Sequence, residues 1–352
     1  MGMLQLYNAD ARGVAGTRIC PLPDCTDAPV RRQINGEYSL TATFPRGARF
    51  TDELLVGRAI KAKVNELGDE QLFVVKRRRR SLTGGMTVYA EHQSYYYNGV
   101  ILRGGGASSS GTPSLNFNQL YNSAHPSITD LATFTFSRSS NPATIVPMVS
   151  TPTCLRTLLL QWLIETHGGE MVFDGFNVEW VDQMGADRGA VYRYGANLTE
   201  MEAEDIVEDY ASGIFPFWGS IDPKSNVGLV TIADWTLDFP GTWPIQVIKT
   251  VDLTSKFDAQ PSQADLLTAA QKWMAVNAPT GIPVSIRASR AKLPADTPVD
   301  LGDTVTVVNT PWGISQKTRI FALTFDALRE RVKDCEFGTI NPGFYGAVKN
   351  TK

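Results

Sequence analysis

Apolar and polar positions alternate with a period of two over much of the chain. In residues 37–44 (EYSLTATF), Tyr38, Leu40, Ala42 and Phe44 fall two apart, the signature of a strand with one buried face. Pro45 ends the run because it cannot donate to a ladder. Residues 59–64 (AIKAKV) and 86–92 (MTVYAEH) repeat the pattern, and residues 72–80 supply a strand between them. Gly68-Asp69 and Gly84-Gly85 mark the turns. Several short strands in succession predict a small barrel or sandwich.

The pattern changes after residues 104–114 (GGGASSSGTPS), whose glycines and serines bury too little surface to offset their ordering entropy and mark a domain boundary. Beyond it, Leu155, Leu158, Leu159, Trp162 and Leu163 form one apolar helix face. Thr151 is expected as its N-cap with Pro152 at the first helical position, and Gly168-Gly169 as its left-handed stop. Ser262 and Asp265 open a second helix, with Leu266, Ala269, Ala270, Trp273 and Met274 sharing a face. Strands return at 284–291, 304–308, 314–325 and 332–337, with turns at Gly302-Asp303 and Pro311-Trp312-Gly313.

The expected fold is mainly β with an α+β insertion, two small β-barrel domains plus an α/β domain. The first barrel domain is expected over 1–105 and the α+β domain over 106–212. The second barrel domain covers 213–345, with a helical insertion around 255–280, and a C-terminal tail covers 346–352. A length of 352 residues agrees with more than one core. The longest apolar stretch, residues 158–164, is far short of the roughly 20 residues a membrane-spanning helix needs, so no membrane span is expected. The opening Met1-Gly2-Met3-Leu4-Gln5 has no features of a secretory signal, and assembly in a cytoplasm is expected.

Charge and chemistry narrow the function further. The net charge of -3 gives no overall attraction to nucleic acid or anionic lipid. Four cysteines, at 20, 25, 154 and 335, are too scattered for a disulfide framework and are expected reduced. Cys20 and Cys25 lack the second Cys or His pair that a tetrahedral metal site requires. No G-x-S-x-G elbow, H-E-x-x-H helix or phosphate-cradling glycine loop is present. His92, His125 and His167 are widely separated and read as structural. No catalytic, cofactor or metal residue is therefore expected, and no cofactor.

Two charged runs remain. Lys76, Arg77, Arg78, Arg79 and Arg80 end a strand, where alternation sends Lys76, Arg78 and Arg80 to one side and Arg77 and Arg79 to the other. They read as a solvated strand end, as an interface for an acidic partner or neighbouring subunit, or as a phosphate contact. Residues 200–209 (EMEAEDIVED) are acidic, and Glu200, Glu202, Glu204 and Asp205 are candidates to face a channel. A passage for a polyanion must avoid the cations that would hold it.

Three stretches resemble the prophage endopeptidase-tail, or tail-associated lysin, family in its N-terminal hub region, which is similar to the baseplate hubs of contractile tails. The first, residues 72–97, runs from a strand through an Arg/Lys-rich turn into MTVYAEHQSYYY, with Asn98-Gly99 following. The second, residues 168–218, carries Gly-Glu, Phe-Asp, Arg188-Gly189, Tyr194-Gly195-Ala196-Asn197-Leu198 and the acidic segment before an aromatic-Pro strand. The third, residues 301–338, carries LGDTVTV, TRI, FDAL and a final FG.

The resemblance implies a structural tail-tip hub of a long-tailed phage, located at the virion tail tip. It also implies a homotrimer in which two similar barrels per subunit make a six-barrel ring. The implied partners are the distal tail protein ring, the tape-measure protein, tail fibre or receptor-binding proteins and, in transit, genomic DNA. No peptidase, lysozyme or fibre domain is expected between the second barrel and Lys352, so the activity in the family name is not carried over. The alternatives are a carbohydrate-binding receptor-recognition module built on the aromatic residues, and a cell-wall hydrolase of the tail-associated lysin type.

Overall fold

The computed structural model describes residues 2–81, 84–102, 124–138, 152–164, 168–205, 211–219, 228–241, 245–257, 259–277, 284–290, 297–312 and 314–338. The chain forms two compact units. The first joins Met1–Ile164, Gly169–Glu202 and Ile286–Gly338, and the second is mainly Ala203–Ser285.

The first unit is mainly β. The alternation in Tyr38–Phe44 and Met86–His92 becomes an antiparallel pair in which Leu40 faces Ala90, Ala42 faces Val88 and Phe44 faces Met86, all buried. Glu70–Arg80 lies on the far side of Met86–His92, with Ala59–Lys63 beyond it. Phe73 and Val75 are fully buried, and each such side chain contributes roughly 1.5–3 kcal/mol by leaving water.

Pro29–Gln33 pairs on one side with Tyr38–Phe44 and on the other with Ile314–Asp326. This joint places strands from the first hundred residues and from residues 314–338 in one sheet. Its path runs from Leu198–Asp205 through Val284–Arg290, Arg331–Gly338, Ile314–Asp326, Pro29–Gln33, Tyr38–Phe44, Met86–His92, Glu70–Arg80, Ala59–Lys63 and Gln5–Ala9 to Ala15–Pro21. Thr304–Asn309 pairs with Ile314–Asp326 and, in parallel, with Asp187–Arg193. Among the described residues the path is open at both ends and closes no barrel.

The first helix differs from its sequence expectation. Thr153 and Cys154 pair with Leu102 and Ile101, so the chain is still extended beyond Pro152 and Cys154 becomes the N-cap. Pro152 is therefore outside the helix, and Thr151 lies outside the described residues. Leu155–Thr157 makes one α-turn and Leu158–Leu163 is wound more widely, as a π-helix. Leu155, Leu158, Leu159 and Leu163 are buried with Tyr97, Val178 and Trp180 in a core of their own. Gly168 and Gly169 both have positive φ, at 68° and 85°, the conformation expected of a left-handed stop. The Gly/Ser-rich boundary at 104–114 and the tail at 346–352 fall outside the described residues.

In the second unit, Gly213–Trp218 is flanked by Val230–Thr231, Leu237–Asp238 and, in parallel, Ile248–Asp252. The helix Gln263–Asn277 packs here through Leu266 and Ala270, with Ala269, Trp273 and Met274 at the margin. Ser262 caps it as its spacing predicts: the hydroxyl accepts from Asp265 N at 3.2 Å and donates to the Asp265 carboxylate at 2.7 Å.

Candidate partner interface

Lys76, Arg77, Arg78, Arg79 and Arg80 are all exposed at the end of the Glu70–Arg80 strand. A change of register between Val75 and Arg77 inserts Lys76 as a β-bulge, which the two-residue period did not foresee. Without it, Arg77 would face Val88. With it, Arg77 faces Tyr89 and Arg79 faces Thr87, while Arg78 and Arg80 face the buried Val88 and Met86. The two arginine pairs stay on opposite faces, and Lys76 leaves the alternation.

Each face handles its charge differently. The Arg77 guanidinium lies 5.3 Å from the centre of the Tyr89 ring, a cation–π contact across the strands. On the other face, Arg78 Nη1 donates to Leu54 O at 3.5 Å and Arg80 Nη2 meets Asp52 Oδ1 at 3.1 Å. Asp52 is 94% exposed, so the pair contributes less than about 1 kcal/mol. The side chains of Lys76 and Arg79 make no hydrogen bond or ion pair with a described residue.

Beside this strand runs the loop that ends in Val56, with Phe50, Leu55 and Val56 exposed. Phe50 holds a left-handed φ of 62°, uncommon for an aromatic residue. The sequence pattern gave no sign of this apolar cluster, because its residues follow neither a helical nor a strand period.

The acidic candidates Glu200, Glu202, Glu204 and Asp205 belong to the strand Leu198–Asp205, and the rest of the acidic run, residues 206–210, lies outside the described residues. Glu200, Glu202 and Glu204 occupy alternate positions of that strand.

The histidines separate cleanly. His92 is fully buried, stacked on Tyr38 with ring centres 4.1 Å apart. Its Nδ1 accepts from Ser94 N at 3.4 Å, which leaves Nε2–H to donate to Gln71 Oε1 at 3.0 Å. Burial, reinforced by the nearby charges of Arg156 and Arg32, holds its pKa well below the ordinary histidine value. His125 is exposed at the end of Ala124–His125, and His167 lies outside the described residues. Cys20 and Cys25 are free thiols, and burial pushes Cys25 up to about 12.

The motif residues shared among the three resembling stretches take structural positions. Asp303 of LGDTVTV is fully buried and accepts from Ala186 N at 2.7 Å, Asp300 N at 2.8 Å and Arg188 Nε at 2.9 Å. Glu170 is gripped by two Arg319 nitrogens at 2.7 and 3.0 Å and accepts from Met184 N. Asn197 closes the Tyr194–Leu198 turn, accepting from Arg193 N at 2.6 Å and donating to Val191 O at 2.8 Å. Asp326 of FDAL accepts from the N–H groups of Leu328 and Arg329. These four carboxyl and amide side chains fix turns and strand ends.

No family model matches the chain, and no curated protein matches it. Its fold is similar to those of solved tail proteins over almost the whole length. The prophage tail protein gp18 from Listeria monocytogenes EGD-e is 13% identical, with 99% of this chain and 98% of that one covered and a TM-score of 0.65. The tail protein from Neisseria meningitidis MC58 is 14% identical, with 98% of each chain covered and a TM-score of 0.63. The 43 kDa tail protein of prophage MuSo2 from Shewanella oneidensis is 10% identical, with 98% and 99% covered and a TM-score of 0.62. At these identities the likeness is one of fold.

Proposed function

We propose that this chain is a structural hub subunit at the tip of a long-tailed bacteriophage tail, working as a homotrimeric ring through which the genome leaves. The observation that carries this reading is the end-to-end fold likeness to tail proteins, in which almost nothing on either side is left over. It is supported by the structural placement of the motif residues Glu170, Arg188, Asn197, Asp303 and Asp326, which hold strands and turns in position.

In this reading, barrel-like halves of three subunits alternate around an axis and match the sixfold tail tube, through a heterologous interface whose rotation closes. The distal tail ring and the tape-measure protein are the neighbours along the axis, and tail fibre or receptor-binding proteins attach outside. DNA carries one negative charge per roughly 1.7 Å of its length, so a lumen lined by Lys and Arg would retain it. We assign Glu200, Glu202, Glu204 and Asp205 to the lumen and Lys76–Arg80 to the outer, protein-facing side. No catalytic role is assigned to any residue.

Sedimentation analysis of the purified chain at micromolar concentration tests the assembly, with a mass of three subunits expected. A monomer or dimer at every concentration, together with tail tips lacking threefold density, overturns it.

One observation favours a second reading. Trp235 is 64% exposed, holds a left-handed φ of 65° and lies 6.0 Å from the Phe215 ring, an arrangement able to stack on a sugar. Titrating host cell-wall saccharides against the fluorescence of the chain and of Trp235→Ala distinguishes this carbohydrate-binding role.

A further inference from the structure

The Glu70–Arg80 strand changes character at Val75. Up to that point both of its edges are occupied, by Met86–His92 and by Ala59–Lys63. The last contacts on the second edge are Gly57 N to Val75 O at 2.9 Å and Val75 N to Arg58 O at 2.8 Å. From Lys76 to Arg80 the ladder continues on the Met86–Tyr89 side alone, and no other described backbone group bonds to it. Met86–His92 is itself covered on its far side by Tyr38–Phe44. Among the described residues, Lys76–Arg80 is therefore an open edge of this part of the sheet, with outward N–H and C=O groups.

Open edges invite strand addition, and charged side chains along them are a common defence. Here all the charges have one sign. They repel a basic strand and offer nothing to a neutral one, but they attract an acidic one, so the same charges that exclude most strands select one kind. The apolar residues Phe50, Leu55 and Val56 beside the edge add contacts for one face of such a strand. Alternation then sets the guest's pattern: carboxylates toward Arg77 and Arg79, and apolar side chains toward the loop, where Arg78 and Arg80 already engage Leu54 O and Asp52.

We infer that Lys76–Arg80 is a strand-addition site for an extended acidic segment of a different polypeptide, in which acidic and apolar residues alternate. The chain's own acidic strand, Leu198–Asp205, already belongs to a sheet, so the guest is assigned to another protein. The inference deepens the structural tail reading by naming the chemistry of a partner. It stands apart from the trimer, because peptide binding and subunit mass are measured separately.

The test uses the full chain and a fluorescein-labelled alternating Glu-Val dodecapeptide, followed by anisotropy. Saturable binding is expected, weakened about tenfold or more by Arg79→Glu, the loss of a charge-assisted contact. A similar loss is expected when the central residues of the peptide are N-methylated, which removes ladder donors at constant charge. The Arg79 side chain makes no hydrogen bond or ion pair with a described residue, so the variant should fold; unchanged circular dichroism and melting temperature verify this. Equal binding of the N-methylated peptide reduces the site to unspecific charge attraction and overturns the inference. So does tighter binding of single-stranded DNA of equal charge, which assigns the strand to phosphate, or self-association abolished by Arg79→Glu, which assigns it to a second copy of this chain.

Discussion

Arg188 and Asp303, separated by 115 residues, meet where the Arg188 Nε donates to Asp303 Oδ2 at 2.9 Å. The two partners are unequal. The Arg188 side chain is 36% exposed and that of Asp303 only 1%, and Asp303 also satisfies Ala186 N and Asp300 N. Asp303→Ala orphans both N–H groups and is expected to cost about 3–5 kcal/mol. Arg188→Ala leaves those bonds in place and is expected to cost about 1 kcal/mol, because water reaches the vacated side. Urea unfolding followed by tryptophan fluorescence checks the order, and equal losses would contradict it.

The Tyr194–Leu198 turn makes a second demand on its residues. Asn197 holds both Arg193 N and Val191 O, so Asn197→Ala is expected to destabilise by about 1–2 kcal/mol. Gly195 has φ of 78° with open space where a Cβ would stand. Gly195→Ala is then strained by backbone conformation alone, at about 1–2 kcal/mol, and Gly195→Asn by less. Thermal melts of the three variants give the comparison.

His92 predicts a pH dependence. Its folded pKa is depressed by burial, while the unfolded chain titrates near the usual value of about 6.5. Between these two pKa values the unfolded state binds the extra proton, so stability falls as pH drops below about 6.5, by up to about 1.4 kcal/mol per pH unit. Above that pH both states are neutral and the contribution is flat. His92→Gln is expected to be less stable at neutral pH and to lose this slope, measured by urea unfolding at a series of pH values.

Charge reversal on the basic strand separates folding from assembly. Arg79→Glu is expected to change the stability of the free chain by no more than about 0.5 kcal/mol, as for an exposed side chain with no hydrogen bond or ion pair to a described residue. In the proposed tail, the same change is expected to lower the yield of assembled particles, as is Arg78→Glu. Counting tails by electron microscopy tests this, and normal tails from both variants would remove the partner role.

The sequence made the strand at Met86–His92 legible because one buried face imposes a two-residue rhythm, as it does at Tyr38–Phe44. The cap at Ser262 was equally legible, since its hydrogen bonds reach only three residues. The start of the first helix was not, because Thr153 and Cys154 are drawn into pairing with residues some 50 positions earlier, a tertiary contact that overrides local capping signals. The basic run could be located but not oriented: the bulge at Lys76 depends on the register of the partner strand. The Phe50–Val56 cluster was invisible for a related reason, since its neighbour Arg78 is reached through a loop carbonyl.

That bulge also makes the charged arm adjustable. Lys76 is the surplus residue of its ladder, so a gene that lost this codon would keep Arg77 opposite Tyr89 and Arg80 opposite Met86. What would change is the local twist, which a bulge increases, and with it the direction in which the arginines project. Lys76 is thus a hinge pin at the level of heredity: relatives could re-aim the arm toward a differently placed partner by a one-residue deletion, without disturbing the buried half of the strand that holds the arm in place.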